Sequence, residues 1–381
     1  MKLVLRIFAL MFALTFLIPN TSAFAQTDDT EILAPGAYGE GSREVTAQLI
    51  DVQIVASAED HSKQYRLTAK DEDENSYTID TRESFPEGVW YRLNVGDTVY
   101  LQVFDTASGE AFLTDVKRTG RLVWILVLFA IVVIAIGLRR GVHAILGLAV
   151  TVGIVGVFVL PKILAGSDPV LVCGLASAAI LAVTMHVAHG FNRRTATAFA
   201  STIIGLGTVY GCAVFFVWFA QLSGLGSEEE LLLYIHSGAI RVPSGILLGT
   251  IILGAAGALD DIAITQTETV AELRDANPTL TSKELFTRAM RIGRHHIASI
   301  VNTLVLAYTS VALPMLLLFM MSTNVSIWQL LNLEGVVAEI VRTVAGTMGL
   351  LLTVPISTAL AAFAGIRGSH EHVHPTTHQN A

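Results

Sequence analysis

The chain has 381 residues, of which 52% are hydrophobic and only 15% charged, with a formal net charge of −8. A mean hydropathy of +0.60 excludes an ordinary soluble domain and points to a multi-pass membrane protein. No strongly basic segment is present to hold nucleic acid, and the two cysteines, Cys173 and Cys212, make neither a disulfide framework nor a metal or redox motif.

Residues 1–25 read as a signal peptide: Lys2 and Arg6 form a basic start, Ala9 to Ile18 an apolar core, and Ala23-Phe-Ala25 a small-residue cleavage pattern. An uncleaved signal anchor is the alternative, and either one places the following chain outside the cytoplasm. Residues 26–43 are polar and Gly-rich, a flexible lead-in.

Residues 44–118 alternate in a strand-like way, from Val45 to Val52, Gln64 to Ala69 and Ser76 to Asp80. Gly96-Asp97 reads as a tight turn into a strand over Thr98 to Phe104, and Gly109 marks a turn before Ala111. Five short strands suit a small extracytoplasmic all-β domain, with the five-stranded OB type as one form. A structural or protein-contact role for it, against an envelope protein partner, competes with ligand binding, since fold alone does not give function.

Residues 119–365 carry seven candidate spans: 122–138, 142–160, 169–188, 197–220, 244–262, 297–321 and 335–364. Each is near the length a bilayer requires. Segments assigned to the inside contain Arg139, Arg140, Arg193, Arg194, Arg274, Lys283, Arg288, Arg291, Arg294 and Arg367, whereas the short outer loops contain only Lys162 and Arg241. That asymmetry puts the N-terminal domain outside and the C-terminus in the cytoplasm. Lys117, Arg118 and Arg121, on the outer side of the first span, run against it. The expected fold is thus an α-helical polytopic membrane protein of about seven transmembrane helices, preceded by a small all-β domain.

Polar groups inside the spans are the functional candidates, because they are costly at membrane depth. Gly245, Gly249, Gly254 and Gly257 give the fifth span a close-packing face, and it ends in Asp260 and Asp261, with Thr265 and Gln266 beyond. Adjacent residues point about 100° apart on a helix, so one of the two carboxylates faces any given site. Either they cap the cytoplasmic end in water or at least one binds a cation or proton.

The sixth span holds Asn302, Thr303, Tyr308, Thr309 and Pro314. These residues suit a broken-helix transport site or plain interhelical hydrogen bonding. Glu339 and Arg342 open the seventh span at i and i+3, where they can pair with each other. His186 with His189, and His295 with His296, are candidate metal ligands, though no third ligand follows from the sequence. Residues 264–296 read as a cytoplasmic helical hairpin turning at Pro278, and 366–381 as a His-rich tail able to bind metal loosely.

Three ordered segments go beyond such patterns. They are Gly257 to Gln266 running into Val270 to Pro278, then Arg291 to Tyr308, then Ala338 to Gly349 with Val354-Pro355. In order and wording they resemble the YibE/F family of bacterial multi-pass membrane proteins, in the form with a paired-Asp motif. One branch of that family has Val-Thr-Val-Thr-Gln after the pair, where this chain has Ile262-Ala-Ile-Thr-Gln266. The resemblance implies a shared polar site and carries over no catalytic residues.

The expected function is a transporter or channel-like protein for an ion or small solute. The alternative is a membrane assembly or accessory factor whose exported domain binds an envelope partner. An enzyme is not expected: no His-Glu-x-x-His or Gly-x-Ser-x-Gly occurs, and a two-carboxylate protease site would need its acids on different helices. No cofactor motif is present, and without a Walker motif ATP is not the direct driver.

Overall fold

The computed structural model describes residues 42–57, 63–80, 93–104, 111–237, 243–321 and 326–366. The signal peptide, most of the lead-in and the His-rich tail expected from the sequence lie outside these residues. The chain divides into two compact units, with the boundary in sequence between Val132 and Val133.

The first unit is built on five antiparallel strands: β1 (Ser42–Ser57), β2 (Lys63–Asp71), β3 (Ser76–Asp80), β4 (Thr98–Phe104) and β5 (Ala111–Val116). They pair in the order β3-β2-β1-β4-β5. Period-two alternation puts Ala47, Leu49, Leu67, Ala69, Ile79, Val99, Leu101 and Leu113 into one core. A register shift between Leu49 and Asp51 bends β1, which pairs with β2 and β4 on its two sides. The end strands β3 and β5 approach one another, so the sheet curls into a half-barrel.

Two devices close the turns of this sheet. Gly96 takes φ +94, which frees the chain to reverse into β4. After β2, Asp71 accepts hydrogen bonds from the Asn75 backbone N–H and side-chain amide and from the Tyr77 hydroxyl. The Asn75 amide beside Asp71 holds its carboxyl below the usual carboxylate range, while burial pushes the Tyr77 phenol up.

The helices are α1 (Thr119–Ile154), α2 (Leu160–Leu164), reached through a π-helical turn at Val155–Val159, α3 (Pro169–His189) and α4 (Arg193–Phe219), followed by α5 (Glu228–Ser237), α6 (Pro243–Ala276), α7 (Ser282–Met321), α8 (Ile327–Leu331) and α9 (Glu334–Phe363). Among the described residues, six helical stretches are long and apolar enough to cross a membrane, by length and composition. The expected spans 122–138 and 142–160 both fall in the first of these, Thr119–Leu164. Leu138 breaks it with φ 50 and ψ −126. A Cβ on Gly141 would lie 2.9 Å from Ile134 Cα, a contact no straight helix allows between residues seven apart, so the chain doubles back there.

The start of α1 is tied to the sheet that precedes it. Arg121 pairs with Asp97 at 2.6 Å and Arg118 with Asp115 at 2.7 Å. Two of the three cations that ran against the expected charge asymmetry are therefore matched by nearby carboxylates.

The second unit packs α3, α4, α6 and α9 around a core that includes Leu181, Leu206, Val209, Leu247, Ile251, Leu259, Val341 and Leu350. Small residues set the spacing, as expected where van der Waals packing holds helices together. At Gly349 on α9 a Cβ would come within 2.8 Å of Val209 Cα on α4, so only glycine permits that approach. The most buried spans are α9 and α6, whereas α1 and α7 present most of their apolar surface outward.

The α6–α7 connection is a helical hairpin over residues 277–281. At its second helix, Thr281 and Glu284 form a capping box, each side chain accepting from the other's backbone N–H. Val270, Ala271, Leu285 and Ala289 of the hairpin pack against Ala361, Ala362 and Ile366 at the end of α9.

Candidate functional site

Helix α9 gathers most of the polar chemistry of the helical unit, beginning at its first residue. The Glu334 carboxylate accepts from the backbone N–H groups of Ser223 and Gly224 at 2.7 Å each, from Leu225 N at 3.3 Å, and from the Ser223 hydroxyl. Three successive backbone donors form an anion-binding concavity of the loop after α4. Gly226 and Gly335 pack backbone to backbone beside it, which fastens that loop to the end of α9.

One to just over two turns further in, Glu339 and Arg342 form an ion pair through Oε2 and Nη1. Their side chains are 15% and 24% exposed, so the pair is largely withdrawn from solvent. Glu339 Oε1 and Arg342 Nε are buried without a hydrogen-bond partner among the described residues. One contact thus neutralises the charges and leaves an acceptor and a donor unused.

Tyr308 on α7 reaches the same place. A Cβ on Gly254 of α6 or on Gly346 of α9 would lie 3.5 or 3.6 Å from its hydroxyl, so the phenol occupies the gap those glycines leave. Gly346 is one turn from Arg342 on the same face of α9, and Tyr308 lies within electrostatic range of both Arg342 and Glu339. Charged and hydroxyl groups from two helices therefore meet on a third that supplies only space.

Toward the hairpin end further polar groups join α6 to its neighbours, and Thr267 Oγ1, Arg274 Nε and Asp275 Oδ2 are buried there without a hydrogen-bond partner among the described residues. Gln266 on α6 is 2% exposed, and its Oε1 accepts from the Thr358 hydroxyl at 3.0 Å. The same amide packs on Gly293 of α7, where a Cβ would meet Nε2 at 3.0 Å. Thr353, Ser357 and Thr358 are fully buried; Thr353 and Ser357 return their hydroxyls to carbonyls of the preceding turn, and the one Thr358 proton is shared between Gln266 Oε1 and the Val354 carbonyl at 2.7 Å. Arg194 pairs with Glu268 at 2.8 Å, and Arg274 donates to the carbonyl of Ala362 at the end of α9.

The other residues singled out from the sequence are scattered. Asp260 is half-buried and Asp261 exposed, and neither makes a hydrogen bond or ion pair to another element among the described residues. Thr265 is exposed, as are Asn302 and Thr303 on α7. No hydrogen bond or ion pair joins Asp260, Asn302 and Arg342.

His186 bonds through Nδ1 to the Ala182 carbonyl at 2.8 Å and lies against Phe191 and Phe199, while His189, His295 and His296 are exposed. No group of three or more His, Cys, Asp or Glu residues able to hold a metal occurs among the described residues. A cavity of about 700 Å³ opens between α4 and α6, walled by Val214, Val217, Trp218 and Leu248 with Gln221 and Ser244, and has no charged lining residue.

Of the expected candidates, then, Glu339, Arg342 and Gln266 sit in the polar interior. Tyr308 was noted in its helix and not singled out; Thr353, Ser357, Thr358 and Glu334 were missed. A stripe of small and hydroxyl residues at positions 346, 349, 353 and 357 was the available signal for the hydroxyls.

No curated protein and no solved structure matches the chain. The family model described as YibE/F-like protein matches residues 125–367, a stretch holding all the helical spans apart from the first turns of α1. The chain therefore belongs to the YibE/F-like family of multi-pass membrane proteins.

Proposed function

We propose that this protein is a transporter or channel-like protein for an ion or small solute, and not an enzyme. The observation that carries the reading is the Glu339–Arg342 pair, withdrawn from solvent yet with Oε1 and Nε unpartnered, beside the Tyr308 hydroxyl. Charged residues kept inside a membrane bundle mark solute and ion pathways, and a partly satisfied pair has capacity to exchange partners. In this reading the chain crosses a bacterial plasma membrane seven times, the break at Leu138 separating the first two passes. The strand unit lies outside, following the signal peptide, and the C-terminus lies in the cytoplasm.

Flux of protons, monovalent cations and small solutes into vesicles reconstituted with the purified protein tests this. Glu339→Gln and Arg342→Gln are expected to abolish flux, and Asp260→Asn with Asp261→Asn tests whether the paired acids bind the coupling ion. Flux unchanged by all four substitutions would remove these charges from the mechanism.

A second reading is favoured by the strand unit having its own hydrophobic core. Its strand order, with β3 and β5 adjacent, is that of an OB barrel, a fold used for extended ligands. On this reading the unit engages an envelope protein, and crosslinking from its surface captures one specific partner. Capture of none across growth conditions would count against it.

A further inference from the structure

We propose that Glu339 and Arg342 are the two poles of a binding site for a small zwitterion, a solute carrying an ammonium and a carboxylate a few bonds apart. The proposal rests on the transport reading for its purpose and on the geometry of the pair for its chemistry.

A guanidinium offers two donor forks, one across the two Nη atoms and one along the Nε–Nη2 edge. Arg342 spends Nη1 on Glu339 Oε2, and no hydrogen bond from Nε or Nη2 exists among the described residues. The Nε–Nη2 edge is therefore unpaired, and two parallel N–H donors match the two oxygens of a carboxylate. At the other pole Glu339 Oε1 is buried without a donor, the complement of an ammonium N–H. Because the residues are at i and i+3, one helical turn sets the separation of the poles.

Charge balance selects among ligands. The pair is neutral as it stands, and a lone anion or lone cation would bring uncompensated charge into a low-dielectric interior. A zwitterion adds none. The Tyr308 hydroxyl, which makes no hydrogen bond to the described residues, supplies a donor or acceptor beside Gly346, one turn along from Arg342. Gly254 and Gly346 leave the gap that the Tyr308 hydroxyl fills, so a ligand reaches the buried Oε1 and Nε by displacing that ring, and both side chains keep some exposure at their other atoms.

The test is equilibrium binding of labelled alanine to the full-length protein in lipid nanodiscs, with glycine, acetate, methylammonium and trimethylglycine as competitors. Saturable binding is expected. Glycine should compete well, while acetate, methylammonium and trimethylglycine, each lacking one pole or its N–H, should be weaker by at least about tenfold. Arg342→Lys, which keeps the charge and loses the fork, and Glu339→Gln should each weaken binding by at least about tenfold. Tyr308→Phe, which removes one hydroxyl, should do so several-fold while leaving the thermal midpoint close to wild type.

The competition series needs only the wild-type protein, so a variant that misfolds does not blunt it. Absence of saturable amino-acid binding, or acetate competing as well as glycine, overturns the proposal. Flux of another solute without amino-acid binding would sink this site and leave transport standing, whereas binding without flux of any solute would do the reverse.

Discussion

Two pairs of charged residues lie in apolar helices of this protein, and they are placed differently. Asp260 and Asp261 on α6 are adjacent and like-charged, and lie half-buried and exposed without a partner on another element. Glu339 and Arg342 on α9 are opposite in charge and one turn apart, and are held largely out of solvent against each other. The lesson is electrostatic: a helix can carry charge into the bundle when the counter-charge comes with it, and leaves it half-buried or exposed when it does not. Glu334 is an intermediate case, a carboxylate whose counter-charge is a row of backbone N–H dipoles.

The comparison can be broken at its strongest point first. Glu339→Ala or Arg342→Ala leaves a buried charge alone and should destabilise the purified protein by about 3 kcal/mol. Replacing both together, as Glu339→Gln with Arg342→Met, should recover part of that loss. Thermal unfolding in one detergent measures all three, and a double variant no better than the singles would deny the pairing.

Glu334→Ala is next. It orphans the loop donors at Ser223 and Gly224 and should cost roughly 1–3 kcal/mol, with faster amide exchange confined to residues 221–226. Unchanged exchange in that loop would mean the carboxylate does not hold it.

Thr358→Val removes one neutral interhelical bond to Gln266 and should cost about 0.6 kcal/mol, and no more than roughly 1.7, because the alternative state also finds partners. The smallest effect belongs to Asp261→Asn, expected within about 0.5 kcal/mol of wild type as for other exposed positions. Asp260→Asn should be neutral or stabilising, since it removes a half-buried carboxylate with no partner. A large loss at either aspartate would reverse the ranking of the two regions.

Much of the architecture was readable because its signals are periodic. The strands from Val45 to Val52 and Thr98 to Phe104 alternate, and Gly96-Asp97 marks its turn. Gly137-Leu-Arg-Arg-Gly141 in a long apolar run signalled the break now seen at Leu138. Depth was harder to read. The paired aspartates are conspicuous as letters, yet which side of α6 faces the core depends on α7 and α9, whose placement no local pattern states.

Thr353, Ser357 and Thr358 gave no signal for a related reason. A hydroxyl that can return to its own helix's carbonyl is tolerated in lipid and in core alike, so its presence does not reveal its neighbours. Glu334 was overlooked because its partners are backbone groups of a loop about 110 residues earlier, which carry no side-chain signature.

The fastening of α9 at both ends has a mechanical consequence. Glu334 pins its first turn to the loop after α4, and Arg274 grips the carbonyl of Ala362 at its last turn. A rod clamped at both ends cannot slide along its axis. It can bend most readily at Pro355, while α7 packs less of its apolar length against the other helices. Any shift of α7 against α9 would therefore carry Tyr308 away from a charged pair that stays in place.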